Sequence, residues 1–478
     1  MRLRKAVAAV AAVVVLAGCT GANQDARPLR TPSPGVSAPA VATTFDGTSA
    51  PVADPIYPAY GNPALDVLHY GLDLSWSPPD RALTGTATIR LRAVTAVSRV
   101  QLDFSPAYTI GNVTVDGAPA TGRVENGDLV VDRALAAGAT ATLVVGYKGT
   151  PAPVPMPSHR NDMEPLGLTV TAAGELWTMQ EPYGASTWYP ANDQPSDKAL
   201  YDIAITVPSG WAGIASGTPD GVAGNTYRYK STTPVASYLT TLAAGRYTRT
   251  EVKGPRGMPV VLWTRTGVDD ASVDELRHSP DYLAWLEQRF GPYPFPSTGV
   301  VVVPSDSAME TQQMLTIGGA TLGDSGAAAS VLVHEFAHQW FGDAVGPSTW
   351  QDVWLNEGWA SYVEQLYRAR GDAGAIDRWE RAARSADGDL RNRLGPPGHP
   401  HADAFAESNV YVCPALMLRQ LHKDLGDDRF FALGRAWAAS NMGTARDRAA
   451  FIAFVNKQTG HDYTALINTW LDSPTTPS

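Results

Sequence analysis

Two histidines spaced four residues apart constrain this chain more than any other feature, because they can act together only on a helix. The segment reads HEFAH from His334 to His338, and residues four apart lie on one side of a helix, where both imidazoles can bind one metal ion. Glu357 follows after eighteen intervening residues, which lets a second helix return with a third ligand. Three protein ligands leave a fourth position for water, as is typical of catalytic zinc. We therefore expect one zinc ion bound by these three residues, with Glu335 beside the water as general base.

The residues around the two histidines favour such a helix. Residues 327–333 are good helix formers. Asp324 or Ser325 can cap the start of the helix, and Gly342 can end it. An apolar stripe would pack the helix while the histidines face elsewhere; its members are Leu332, Phe336 and Trp340. The alternative is a helix whose histidines are ordinary core or surface residues, and this context weighs against it.

Length and charge narrow the class of protein. The chain has 478 residues, of which 44% are hydrophobic, and this length predicts about two to four domains with real cores. The formal net charge is −10, the pI is near 5.4, and no basic run offsets this acidity. We therefore expect no nucleic-acid partner.

The N-terminus has the pattern of an export signal. Residues 1–18 begin with basic side chains and continue into an apolar stretch that is too short to span a bilayer. This signal peptide ends in Leu-Ala-Gly before Cys19, which resembles the bacterial lipobox, whose cysteine is lipidated after cleavage. We expect an exported, extracytoplasmic protein anchored to the bacterial cell membrane by a lipid on Cys19. The alternative is an ordinary cleaved signal with an incidental cysteine. The remaining cysteine is Cys413, so a lipidated Cys19 leaves no disulfide within the mature chain.

Three regions follow the signal. Residues 19–60 are rich in Pro, Ala, Thr, Ser and Gly without apolar periodicity, which predicts a disordered, lipidated tether. Residues 61–250 alternate apolar and polar side chains between turn signals such as Asp116-Gly117 and Asn126-Gly127, which predicts an all-β sandwich or saddle. Residues 251–478 have mostly helical patterns, with a helix expected over 272–290 and a buried strand over 299–303. The expected fold class is α+β multidomain.

Further segments stand in order around the zinc motif. They read EPYGA at 181–185, WYPANDQP at 188–195, SAMET at 307–311, HEFAHQWFGD at 334–343, WLNEGWA at 354–360 and YVCPA at 411–415. Together they resemble the aminopeptidase N family of zinc metallopeptidases. The resemblance implies an N-terminal β domain followed by a thermolysin-like, mainly helical catalytic domain. It also implies a zinc-dependent hydrolase that acts on peptides with a free N-terminus.

The resemblance assigns further roles. Tyr411 would donate a hydrogen bond to the oxyanion as the tetrahedral intermediate forms. Glu310 and Glu181 would bind the substrate's α-ammonium between two carboxylates. Met179 and Met309 flank these carboxylates and would line the pocket for the first side chain, unless they only fill the core.

Each assignment has an alternative when the residue is taken alone. Glu181 could be a solvated loop carboxylate, and Tyr411 a half-buried helix tyrosine. Glu364 lies seven residues past Glu357, so it would hydrogen-bond a ligand histidine or remain solvent-exposed.

Some positions depart from the family pattern. Ser307 and Thr311 replace the glycine and asparagine of the exopeptidase motif, which changes the backbone freedom of the strand beside the substrate and predicts less secure peptide binding. Cys413-Pro414 replaces Lys-Gly, and we expect Pro414 in the first turn of a helix and Cys413 as a small buried residue. The 121 residues after Glu357 (478 − 357) predict an open cleft without the family's further β domain and helical superhelix.

We therefore expect a surface-anchored zinc aminopeptidase. A thermolysin-like endopeptidase is the second hypothesis; it would share the zinc ligands and Glu335 but has no need of Glu310 and Glu181. A catalytically weak peptidase-fold binding or scaffold protein is the third, and the intact ligands speak against it. An epoxide-hydrolysing activity, found in one branch of the family, is a further alternative.

Overall fold

The computed structural model describes residues 44–160, 164–267, 270–323, 325–372 and 374–478. These residues form a β-rich first domain and a second domain in which helices pack on a smaller sheet, as the sequence predicts. Cys19, the export signal and most of the expected tether lie outside the described residues. Among the helices of the described residues, none is long and apolar enough to cross a membrane.

The first domain is built from strands in three sheets. In chain order the strands are β1 (Leu65–Ser77), β2 (Ala82–Ala93), β3 (Val100–Asp103), β4 (Tyr108–Val115), β5 (Ala118–Pro119), β6 (Gly122–Glu125), β7 (Asp128–Val131), β8 (Thr140–Gly149), β9 (Gly167–Val170), β10 (Leu176–Met179), β11 (Lys198–Thr206), β12 (Ala212–Ala215), β13 (Thr218–Ala223), β14 (Thr226–Ala236) and β15 (Leu242–Gly245). The large sheet has the order β13-β14-β11-β1-β2-β8-β4-β5, and the smaller ones are β12-β15-β10-β9 and β3-β7-β6. All pairings in these sheets are antiparallel except β1 with β11.

Local sequence explains the hairpins and the faces of these strands. Along β2, buried and exposed residues alternate, as the period of two predicts. The Asp116-Gly117 and Asn126-Gly127 pairs all have positive φ, between 53° and 91°, which is the backbone of a tight two-residue turn. The first pair joins β4 to β5 and the second joins β6 to β7.

The N-terminal strap, residues 44–60, corrects the expected extent of the tether. The prediction of disorder up to residue 60 is wrong for these residues, which pack across both domains. Val52 N donates to Ser196 Oγ at 3.0 Å in the first domain. The buried Asp54 accepts from Trp350 N at 2.6 Å, and the Tyr57 hydroxyl donates to Ala402 O at 2.9 Å, both in the second domain. Amino-acid composition did not predict that the strap is ordered, because its order comes from these long-range contacts.

The second domain begins with a strand. Its elements are β16 (Tyr247–Lys253), β17 (Pro259–Arg265), α1 (Asp270–Arg277), α2 (Ser279–Phe290), β18 (Thr298–Val303), β19 (Ala308–Met309), β20 (Leu315–Gly318), α3 (Ser325–His338), β21 (Val345–Pro347), α4 (Trp354–Arg368), α5 (Ala375–Leu394), α6 (Ser408–Leu425), α7 (Asp427–Asn441), β22 (Thr444–Arg446), α8 (Arg448–Thr459) and α9 (Thr464–Asp472). One mixed sheet has the order β16-β17-β18-β20-β19. Because β16 pairs with β17, the expected boundary at residue 250 falls inside a strand, and the change of domain comes before Tyr247.

Two helical predictions need correction. The single helix expected over 272–290 is two helices, α1 and α2, and Pro280 near the start of α2 explains the break, since proline lacks an N–H and crowds the preceding turn. Pro414 lies inside α6 rather than in its first turn. Gly358 of α4 lies against it: a Cβ there would come within 2.7 Å of the proline ring. The predicted burial of Cys413 is confirmed.

The two domains pack against each other through a shared hydrophobic core. The core of the first domain continues through Trp350 and Phe405 of the second. A separate core holds α3 and α4 against the mixed sheet, and Leu332, Phe336 and Trp340 are buried in it. The apolar stripe predicted from the sequence therefore packs the helix as expected.

Candidate active site

The three predicted zinc ligands converge between α3 and α4. His334 and His338 lie in the last turns of α3, and Glu357 lies in the first turn of α4. The Glu357 Oε2 atom is 3.4 Å from His334 Nε2 and 3.5 Å from His338 Nε2. All three ligand atoms lie within 4.8 Å of one another. The eighteen-residue connection thus returns a carboxylate to the two imidazoles, as the spacing predicts.

This arrangement fits a tetrahedral zinc ion. Zinc bonds of about 2.0–2.1 Å place neighbouring tetrahedral ligand atoms about 3.4 Å apart, which matches both measured separations. Glu357 Oε2 is buried and has no hydrogen-bond partner among the described residues. A buried charged oxygen without a donor needs a cation. Two imidazole nitrogens and one carboxylate oxygen are also the donor set that zinc takes in hydrolytic sites.

Neighbouring groups orient the two imidazoles. His338 Nδ1 lies 3.2 Å from the Phe341 carbonyl oxygen, so it carries the proton and leaves Nε2 free to face Glu357. That carbonyl comes from a wide turn, Gln339–Asp343, in which Gly342 has a φ of 143°. A Cβ at Gly342 would lie 3.3 Å from His338 Nδ1. The sequence predicts that Gly342 ends the helix. In the structure, the turn that contains Gly342 also supplies the carbonyl oxygen that orients His338.

Glu364 lies near the other histidine, as the seven-residue spacing predicts. Its Oε2 atom is 3.6 Å from His334 Nδ1. Burial alone would lower the pKa of His334, but the nearby carboxylates of Glu357 and Glu364 together outweigh burial and raise the pKa well above its usual range. Both nitrogens of this imidazole therefore face carboxylates.

Further carboxylates face the same space. Glu310 and Glu335 form one close group with His338, and Glu181 and Glu310 form another with Glu357. Glu310, Glu335 and Glu357 are buried, and Glu181 is half-buried with one buried oxygen. Burial raises the pKa of Glu335 to about 7. Burial, followed by the neighbouring charge of Glu310, raises the pKa of Glu181 well above its usual range. The charge of Glu310 contributes to both raised pKa values, so the closely spaced carboxylates repel one another, and a positively charged ligand would relieve this repulsion.

Two glutamines that no sequence motif marks hold the backbone segments that carry Glu310 and Glu181. Gln339, next to His338, donates through Nε2 to the Glu310 carbonyl at 2.7 Å and accepts from the Tyr293 hydroxyl at 2.8 Å. Gln180 donates through Nε2 to the Ser237 carbonyl oxygen at 2.7 Å. Its position next to Glu181 was the sequence signal for its role.

Side chains around these carboxylates are also buried. Thr311, a departure from the family pattern, is buried and its hydroxyl lies 2.9 Å from that of Thr316. Its side chain therefore bonds to the neighbouring strand β20. Met179 and Met309 end β10 and β19, and both are buried in the core of the first domain. The structure thus gives both methionines a packing role.

Tyr411 lies in the first turn of α6 and faces a ligand histidine. Its ring is 6.0 Å from the His334 ring, centroid to centroid, with 26° between the planes. Burial, followed by the charge of Glu357, raises the pKa of Tyr411 well above its usual range, so the hydroxyl keeps its proton. Arg160, from the first domain, donates through Nη1 to the Tyr411 oxygen at 3.0 Å. Arg160 was not predictable as a site residue, because it lies in a proline-rich loop without a recognisable motif.

Comparisons with known proteins agree with this architecture. Residues 67–239 match the peptidase M1 N-terminal domain, and residues 275–470 match the peptidase family M1 domain. Aminopeptidase N of Acetobacter pasteurianus is 28% identical over 317 residues, which cover 62% of this chain and 88% of that protein. Mouse aminopeptidase B is 26% identical over 335 residues, which cover 63% of this chain but 50% of the relative.

A solved structure extends the match to both domains. The M1 zinc metallopeptidase of Deinococcus radiodurans superposes with a TM-score of 0.78 at 27% identity, covering 90% of this chain and 98% of that one. A mutant of that metallopeptidase has been solved with a bound Tyr-ser-ala substrate. The two family matches, the relatives and the two-domain superposition agree with the zinc-ligand geometry: this chain belongs to the peptidase M1 family of zinc metallopeptidases.

Proposed function

We propose that this protein is a zinc-dependent aminopeptidase that removes N-terminal residues from peptides. One observation carries the proposal: Glu181 and Glu310, from different domains, meet beside the zinc-ligand triad. Each keeps a buried oxygen that has no hydrogen-bond partner among the described residues. An α-ammonium group supplies both the positive charge and the N–H donors that such oxygens need. An endopeptidase has no use for this pair, because its substrate presents a neutral amide there.

One zinc ion would be bound by His334, His338 and Glu357. When bound, zinc polarises the scissile carbonyl and makes water more acidic. The Glu335 carboxylate accepts the proton of the attacking water and later delivers it to the leaving amine nitrogen. The Tyr411 hydroxyl donates a hydrogen bond to the developing oxyanion. The two proposed ammonium-binding glutamates position the substrate so that its first peptide bond lies beside Glu335.

The pocket for the substrate's first side chain would lie beside Met179 and Met309. Both precede an ammonium-binding carboxylate within two residues, so a side chain next to the bound ammonium comes close to them. Their flexible thioether side chains can adapt to different apolar groups.

Peptides with a free and an N-acetylated terminus test the function. We expect the purified protein to release the first residue of the free peptide and to leave its N-acetylated counterpart uncut. Acetylation removes the ammonium charge without changing the scissile bonds. Undiminished cleavage of the blocked peptide would overturn the aminopeptidase proposal in favour of an endopeptidase.

A Glu335→Gln variant separates an enzyme from a binding protein. Glutamine keeps the size of the side chain but cannot accept the proton, so we expect a roughly 10²- to 10⁴-fold lower kcat with unchanged zinc content. The matched control is Glu164→Gln in the 164–166 segment. Equal activity of wild type and Glu335→Gln, with zinc bound to both, would favour the scaffold hypothesis.

The proposed location is the outer side of the cell membrane, with Cys19 lipidated. The signal pattern of residues 1–18 and the Leu-Ala-Gly-Cys sequence support this proposal. We expect the wild type in the membrane fraction of the expressing bacterium and Cys19→Ala in a soluble or unprocessed form. Identical fractionation and mass of the two would contradict lipidation.

A further inference from the structure

The loop 154–160 of the first domain reaches across the interface to the segment that begins α6. Val154 and Leu166 pair with each other at the base of the loop, with N–O distances of 2.9 and 2.7 Å. Beyond this base, the Pro157 carbonyl accepts from Phe405 N at 2.8 Å. His159 N donates to Glu407 Oε1 at 3.0 Å. The loop is therefore docked on the residues that immediately precede Tyr411.

Arg160, in this loop, binds two groups of that segment. Its Nη1 atom donates to the Tyr411 hydroxyl oxygen and to the Ala406 carbonyl oxygen, both at 3.0 Å. Ala406 has a φ of 51°, a conformation that costs free energy for a residue with a side chain and that concentrates at functional sites. The guanidinium carbon also lies 5.4 Å from the centre of the Tyr411 ring. The contacts place a cation beside the tyrosine from a different domain.

The direction of the hydrogen bond matters for chemistry. A guanidinium has only donors, so the Tyr411 oxygen must accept from Arg160 and cannot donate to it. The single phenolic proton is then left to point at another acceptor. A charged donor on the phenol oxygen also polarises the O–H bond and strengthens its own donation.

We propose that Arg160 is a positioning residue, supplied by the β domain, that orients and polarises the Tyr411 hydroxyl toward the substrate's oxyanion. The inference rests on the proposed function, because it gives Tyr411 the oxyanion-binding role. It adds that the first domain takes part in the chemical step through this tyrosine, in addition to binding the substrate's amine.

A double-mutant cycle on kcat tests the proposal. With the best substrate from a panel of aminoacyl arylamides, we expect Arg160→Met to lower kcat roughly 10- to 100-fold, somewhat less than loss of an oxyanion donor outright, and to change KM less than about 3-fold. Arg160→Lys keeps a charged donor and should recover part of kcat. In a Tyr411→Phe background, Arg160→Met should lower kcat less than about 2-fold, because the group it acts on is gone.

The controls separate this role from folding. His159→Ala removes an exposed neighbouring side chain but keeps the backbone bond to Glu407, so it should retain wild-type kcat. Melting temperature and zinc content are measured for every variant, and Arg160→Gln replaces Arg160→Met if the latter does not fold.

Several outcomes would overturn the proposal. It fails if Arg160→Met lowers kcat equally in both backgrounds, or if it changes only KM, which would indicate direct substrate binding. If Tyr411→Phe is impaired but Arg160→Met is not, Arg160 has no such role while the proposed function stands. If Tyr411→Phe is as active as wild type, or wild type cleaves no arylamide, the proposed function or its oxyanion step fails, and the Arg160 proposal with it.

Discussion

The proposed zinc ligands come from two helices that are adjacent in the chain, whereas the proposed ammonium-binding carboxylates come from two domains. His334, His338 and Glu357 lie within one α-helical hairpin, and the turn after α3 orients His338. Glu181 and Glu310 are about 130 residues apart in the chain (310 − 181 = 129) and meet only when the domains pack together. The metal-binding half of the site can therefore form within one domain, whereas the ammonium-binding half depends on the interface between the domains.

The supports of the two halves differ in the same way. Hydrogen bonds that hold the zinc ligands are local, since His338 bonds a carbonyl three residues away. The Glu181 segment is held by residues distant in sequence: the Tyr183 ring stacks on Tyr60 of the N-terminal strap at 3.9 Å, and Gln180 bonds Ser237. Changes in the first half should thus abolish catalysis of every substrate, and changes in the second should affect recognition and domain packing.

Removal of a zinc ligand should have the largest effect. We expect Glu357→Gln to lose zinc and to lower kcat by at least about 10³-fold on every substrate, because Lewis acidity and the oriented water disappear together. Zinc analysis and kcat on an arylamide check this. Glu364→Gln, on the same helix, is the matched comparison, with a smaller loss of zinc affinity of about 10- to 100-fold. Full zinc occupancy in Glu357→Gln would contradict the ligand assignment.

Loss of an ammonium-binding carboxylate should act on the other half alone. Glu310→Gln removes one charge from a buried pair, which costs about 2–3 kcal/mol of binding, or roughly 30- to 150-fold in kcat/KM. Zinc content should stay unchanged. Asp306→Asn, an exposed carboxylate four residues earlier, is the control and should behave as wild type. Loss of zinc in Glu310→Gln would show that the two halves are not separable.

Removal of Asp54 tests whether the strap supports the interface. Its carboxylate accepts from Trp350 N at 2.6 Å and from Tyr57 N at 2.8 Å, and Asp54→Ala leaves these donors without that partner. We expect a loss of about 1–3 kcal/mol in the free energy of unfolding and a lower melting temperature. Asp46→Ala is the control, because Asp46 is exposed and accepts from Thr48 N within the strap. Equal melting temperatures for Asp54→Ala and wild type would show that the strap does not stabilise the interface.

The last effect is a change in the pH dependence of stability at Asp103, which supports the segment after Glu181. Its Oδ2 atom accepts from Asp193 N and Gly61 N, both at 2.9 Å. Burial, followed by the charge of Asp193, raises the pKa of Asp103 to about 8, against about 3.9 in an unfolded chain. The folded state therefore retains a proton that the unfolded state releases, so stability falls as pH rises from about 4 to about 8 and levels off above that.

Asp103→Asn should weaken this pH dependence, because an amide cannot lose the proton while its oxygen can still accept both N–H groups. Melting temperatures at pH 5, 6, 7 and 8 would check it, with Asp73→Asn, an exposed strand residue, as control. The difference between Asp103→Asn and wild type should grow toward pH 8. Parallel curves would contradict the raised pKa.

The residues whose positions depend on local periodicity were predictable from sequence. The spacing of His334 and His338 defines a helix face, the return of Glu357 follows from the chain length between them, and alternation in residues 82–93 predicts strand β2. The two-residue turns at 116–117 and 126–127 follow from their Asp-Gly and Asn-Gly pairs. Even so, the single helix expected over 272–290 missed the break before Pro280, although the local chemistry of proline explains it. The position of Pro414 was wrong because an interior proline depends on the helix that packs against it, here through Gly358.

The sequence by itself determined the metal-binding motif, the order of the domains and the chemistry available to each side chain, because these depend on residue type and short-range spacing. Only the tertiary structure decided that the strap is ordered, that Gln339 holds Glu310, and that Arg160 meets Tyr411. Those contacts join segments tens to hundreds of residues apart, and their free energy exists only once these segments have packed together. No local pattern records such contacts.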